Sequence, residues 1–190
     1  MKRLYYDLET TGLKPEKHGI HQMSGKLVFD KDGARHVEEF NFKVRPNPKA
    51  LIDEEALNIA GVTKEQVLSY PPMEVVFNQF ISLLEIGCDR FNKSDKYHLV
   101  GYNNRGFDDQ FLRGFFLQNN DNYFGSWFWS DSIDVMVLAS KFFEEDRHKM
   151  PNFKLSTVAS HLGIPIDENK LHDAMYDIYL TEEILCRIER

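Results

Sequence analysis

Tyr5-Tyr6-Asp7-Leu8-Glu9-Thr10-Thr11-Gly12 alternates apolar and acidic side chains, which predicts a β-strand entering a core. Residues two apart on a strand leave it on the same face, so the Asp7 and Glu9 carboxylates stand together, their Cα atoms about 6.6 Å apart. At an effective dielectric of about 20, two such charges repel by roughly 2.5 kcal/mol. Leu4, Tyr6 and Leu8 draw the strand into the core, and desolvation adds to that cost. Such a pair either lies solvated on an edge strand or faces a divalent cation held by hard oxygen ligands. The remaining chain decides between these.

Downstream, alternating segments at 20–29 and 36–44 are joined by Asp30-Lys31-Asp32-Gly33, a hairpin signal, so the first three strands form an antiparallel meander. Short helices follow at 51–60 and 63–68, the second capped by Thr63 with Gln66 at N3. Pro71-Pro72 opens a longer amphipathic helix over 73–86. Tyr97 to Gly101 reads as a short buried strand, 106–118 as a helix and Trp127-Phe128-Trp129 as a last strand. A helix over 133–143 is capped by Ser130, Asp131 or Ser132, and 154–161 and 173–190 are the last two helices. Three antiparallel strands followed by strands alternating with helices predict a mixed α/β sheet with helices on both faces, in one domain spanning 1–190.

Two further acids fall where helix geometry makes an isolated charge expensive. At 100° per residue, Phe107, Phe111, Leu112 and Phe115 form one apolar stripe, and Asp108 lies within it. Its neighbour Asp109 points the other way, four residues before Arg113, and reads as half of a surface ion pair. In the closing helix Ala174, Ile178, Thr181, Ile184, Leu185 and Ile188 share a face centred near Asp177, while Asp173 reads as the cap. No Lys or Arg shares the face of either acid. Asp108 would also complement a helix dipole from the first turn. One shared cation site would satisfy Asp7, Glu9, Asp108 and Asp177 together. His172 stands at the entry to the closing helix, at the mouth of such a site, where an imidazole can take a proton from water. The other six histidines read as structural.

Composition is that of a globular rather than a disordered chain: 42% hydrophobic and 13% aromatic residues, with a formal net charge of −7. That charge argues against gripping long duplexes through a wide basic surface. The two cysteines suggest neither a disulfide framework nor a zinc cluster. A charged strand at the N-terminus and no long apolar run lead to the expectation of a cytoplasmic protein without signal peptide or membrane partner.

Asp7-x-Glu9, Asn104-x-x-Phe107-Asp108 and His172-x₄-Asp177 together resemble the three motifs of the DEDDh 3′→5′ exonucleases, which include the epsilon-type proofreading subunits. The resemblance covers nearly the whole chain and implies an RNase H-like fold and hydrolysis from 3′ ends with two Mg²⁺ ions, for which Mn²⁺ can substitute. By this resemblance Asp7 bridges both ions, Glu9 and Asp177 complete the water-activating site, Asp108 holds the second ion and His172 is the general base. It further implies that Thr10, Thr11 and Gly12 line the terminal nucleotide, that Leu13 wedges against the last base, and that Asn104 and Phe107 belong to the substrate side. A threonine turn closed by a glycine, and a helix N-cap at Asn104, would give the same sequence. Asn103 departs from the histidine common there.

The expected substrate is a single-stranded 3′ end, DNA before RNA, with nucleoside 5′-monophosphates as product. An RNA-trimming enzyme of the same branch and a non-catalytic polymerase module are the alternatives. The chain stops after the closing helix, which favours a free-standing enzyme while leaving a surface-bound polymerase partner open.

Overall fold

A computed structural model of the protein describes residues 1–171 and 173–189. β1 (Arg3–Thr10), β2 (Ile20–Lys31) and β3 (Ala34–Lys43) form the expected meander. Asp32 and Gly33 both have positive φ (54° and 79°), so the β2–β3 connection is the two-residue primed turn that the Asp-Gly pair favours. α1 (Glu54–Ile59), α2 (Lys64–Ser69) and α3 (Met73–Gly87) follow. Thr63 and Gln66 close the expected capping box on α2.

β4 (His98–Gly101) pairs parallel with β1, and α4 (Asp108–Gln118) follows it after a short 3₁₀ turn. α5 (Phe124–Trp127), β5 (Ile133–Asp134), α6 (Val135–Phe142), α7 (Leu155–His161) and α8 (Ala174–Ile188) complete the chain. The sheet has the order β3-β2-β1-β4-β5, antiparallel on one side of β1 and parallel on the other.

The two faces of β1 serve two cores. Leu4, Tyr6 and Leu8 pack with α3 and α4, where Phe77, Phe80, Phe115 and Phe116 meet largely edge to face. Tyr5 packs with Val100, Val135, Ile178 and Ile184 beneath α6, α7 and α8. Asp7 and Glu9 share the face of Tyr5 and so look toward α8.

The expected strand at Trp127-Phe128-Trp129 is corrected. Trp127 ends α5, Phe128 makes a single bridge to Tyr97, and the fifth strand is Ile133–Asp134. Burial of Trp127 and of Phe124, against Phe116 and Phe128, outweighs the strand preference of the aromatic run. The cap of the following helix is Asp134, whose carboxylate accepts from the N–H groups of Met136 and Val137. Among the described residues no helix is long and apolar enough to cross a membrane.

Candidate active site

The site forms where β1 outruns its parallel neighbour. β1–β4 pairing stops at Tyr5↔Val100, so from Tyr6 onward β1 has no ladder partner on that side. Side chains fill the opening. Asp108, at the N-terminus of α4, accepts a hydrogen bond from the Leu8 N–H at 3.2 Å, which brings its carboxylate to the backbone between Asp7 and Glu9. On the α8 side, Asp7 and Asp177 line one pocket of about 160 Å³ with Tyr6, Tyr102 and Thr181. Thus segments about 100 and 170 residues from the first strand converge on it.

Electrostatics show the convergence directly. Burial, followed by the carboxylates of Asp108, Glu9 and Asp177, holds Asp7 well above the ordinary carboxylate range. Asp108 is pushed up to about 7, first by burial and then by Asp109 and Glu9, against the lowering effect of its own and Leu8's backbone N–H groups. All-oxygen donors that raise one another's pKa have the chemistry of a site for a hard divalent cation. Among the described residues, however, no three such groups stand close enough to share one ion. His172 lies outside the described residues.

Asp109 is a correction. It does not face solvent toward Arg113; it is 8% exposed, and its Oδ1 accepts from the Tyr6 hydroxyl (2.5 Å) and Asn104 Nδ2 (3.1 Å), while Oδ2 accepts from the Ser132 hydroxyl (2.6 Å). Arg113 instead lies over the Phe124 ring at 4.2 Å. The apolar stripe read from Phe107, Phe111, Leu112 and Phe115 is too narrow: Phe116, seven residues after Asp109 and on its side, is fully buried, and the solvent side of α4 is Gln110, Arg113 and Leu117. The signal was Tyr6: a tyrosine on the inward face of a strand requires a buried acceptor for its hydroxyl.

The expected substrate contacts divide. Thr11 is fully buried; its hydroxyl donates to Leu51 O at 2.7 Å and accepts from Gly19 N–H at 3.0 Å. Thr10 Oγ1 donates to Gly12 O at 2.8 Å. These hydroxyls build the turn, and Gly12 is required there because a Cβ would collide with the His18 ring. Leu13, 77% exposed, stands at the surface beyond that turn. Asn104 is buried and turned toward Asp109, away from solvent, while Phe107 is half-buried against Phe111. Arg105 is tied to Ser132 O and Arg147 lies over Phe153.

The Exonuclease family model matches residues 4–185. The chain belongs to this family. Exonuclease domains of this kind use divalent metal ions. The chain is 28% identical to exodeoxyribonuclease I of Escherichia coli over 94% of its length, but that alignment spans only 38% of the relative. It is 27% identical to DNA polymerase III subunit epsilon of Aquifex aeolicus (96% of this chain, 77% of the relative) and to ribonuclease T of Hahella chejuensis (96% and 80%). In fold it matches the crystal structure of Escherichia coli exonuclease I bound to a dT13 oligonucleotide with a TM-score of 0.72, at 22% identity, over 98% of this chain and 40% of that one. Exonuclease membership and the RNase H-like sheet are therefore as the three motifs implied.

Proposed function

We propose that the protein is a metal-dependent exonuclease removing nucleotides from single-stranded 3′ ends, DNA before RNA, and releasing nucleoside 5′-monophosphates. The observation that carries the reading is geometric: Asp108 accepts from the Leu8 N–H between Asp7 and Glu9, and Asp7 and Asp177 line one pocket at the open side of β1. With their repulsion offset by bound cations, these four carboxylates would draw together and hold the ions, taken as Mg²⁺ with Mn²⁺ able to substitute. A divalent pair there would supply the charge that stabilises attacking and leaving oxygens in an in-line displacement.

The chain's own residues account for the rest. Leu8 N–H and the first turn of α4 orient Asp108. Asp109 pins that turn to β1 and to the segment before β5 through Tyr6, Asn104 and Ser132. Leu13, exposed beyond the Thr10–Gly12 turn, would pack on a terminal base. His172 is proposed as the general base that takes a proton from water, for which the rate should climb between about pH 6 and 8.

Digestion of 3′- and 5′-labelled oligomers, DNA and RNA in parallel, with Mg²⁺, Mn²⁺ and chelator, tests the reading. Metal-dependent early release of the 3′ label as a mononucleotide is expected, faster from DNA. The ribonuclease T relatives favour RNA trimming as the second reading, and RNA-only cleavage would establish it. No cleavage with either metal would leave a non-catalytic module.

A further inference from the structure

The outermost strand of the sheet carries an independent signal. β3 is an edge, and among the described residues no strand pairs with its outer side. Its ten residues contain no proline, and its register with β2 runs unbroken from Lys31↔Ala34 to Gln22↔Lys43. A long regular edge is a template for another strand unless something blocks it.

The direction of its backbone groups follows from the turn. A two-residue turn makes Lys31 and Ala34 a hydrogen-bonded pair. In phase with it, Val44 N–H donates to His21 O at 2.9 Å. Even-numbered residues of β3 therefore bond to β2, while Arg35, Val37, Glu39 and Asn41 turn their N–H and C=O groups outward.

We propose that β3 pairs antiparallel with β3 of a second copy about a two-fold axis at Val37, making one sheet continuous across both molecules. Charge complementarity and length of overlap select this register, because centring on Asn41, which opposes Glu39 and Lys43, pairs only residues 39–43 while centring on Val37 pairs 34–40. Centred on Val37, each Arg35 stands opposite the other copy's Glu39, and each His36 opposite Glu38. Centring on Glu38 sets the two Glu38 side chains face to face. Centring on Glu39 does the same to Glu39 and sets Arg35 against Lys43. Centring on His36 or Phe40 pairs no opposite charges. Directly opposed unlike charges support a strand pair and like charges oppose it.

The surroundings suit this occupant. Val37 is 46% exposed at the centre of the edge. On the opposite face of the sheet, between α3 and β3, lies an apolar groove of about 530 Å³ lined by Phe42, Leu83 and Ile86, the last 39% exposed. Arg35 reaches Glu182 of its own chain only at 3.8 Å and stays 65% exposed, so it can turn to a partner.

Sedimentation velocity of the full chain across a micromolar concentration series tests the proposal without reference to nuclease activity. A reversible dimer is expected; a monomer at every concentration overturns it. Val37→Pro removes only an outward N–H, so the folded monomer should persist, shown by unchanged circular dichroism, while the dimer is lost. A folded Val37→Pro variant that remains dimeric overturns the assignment of this edge. R35E should weaken association by roughly tenfold or more. R35E/E39R restores the opposed pairs and should return to within about twofold of the parent. Failure of that rescue rejects the register.

Discussion

Asp108 and Asp109 are neighbours in one helical turn, 7% and 8% exposed, and their surroundings are opposite in kind. Asp109 receives three hydrogen bonds from three separate elements. Asp108 receives one from the Leu8 backbone and otherwise meets burial and the negative charges of Asp109 and Glu9, which lift its pKa to about 7. The first arrangement stabilises the fold, and the second costs stability for the sake of what it can bind. Equal burial thus carries opposite meaning according to the donors within reach.

The largest effect is expected on the binding side of this contrast. Asp7→Asn should lower metal-dependent hydrolysis on the order of 10²–10³-fold or more, on the scale of removing one electrostatic stabiliser from an active site. The same variant should be no less stable than the parent in chelator above pH 7, because a repelled charge has gone. Retained turnover would break the comparison at its root.

Asp109→Ala should destabilise the protein by about 3 kcal/mol, since it strands three buried donors, read as a shifted urea midpoint. A loss near zero would mean that those donors find water instead. Asp108→Asn should do the reverse. The folded carboxyl holds its proton up to about pH 7, so the stability it contributes is fully present below the unfolded value near 3.8 and lost as pH rises through 7. The amide imitates the protonated form. The variant should therefore match the parent near pH 4 and exceed it by on the order of 2–4 kcal/mol at pH 8 in chelator. A pH-independent difference would place the shift elsewhere. Smallest is Tyr6→Phe, about 1 kcal/mol, which removes one of the three donors and sharpens how Asp109 divides its load.

Much of this was legible in the chain. The meander with its Asp-Gly turn, the capping box at Thr63 and Gln66, the Asp173 cap of α8 and the placing of Asp108 on a buried face all follow from local periodicity and cap chemistry. The errors share a cause. Trp127-Phe128-Trp129 had the composition of a strand, but Trp127 buries itself at the end of a helical turn and only Phe128 keeps a single bridge, to Tyr97. Asp109 was assigned to solvent because the apolar stripe was drawn without Phe116, whose burial extends the inward side of α4 to Asp109 and leaves Gln110, Arg113 and Leu117 outside. The hydroxyls of Thr10 and Thr11, by contrast, form the turn that the same residues also allowed.

By itself the sequence determined which residue types the site could contain and which faces they leave, because strand and helix periods are local properties of the backbone. Only the tertiary structure decided their company: β1 outruns β4, the first turn of α4 meets β1 at Leu8 and Tyr6, and α8 packs on the face that carries Asp7. Whether a buried carboxylate is a satisfied anchor or a poised ligand depends on donors brought from distant segments, and no local period encodes that.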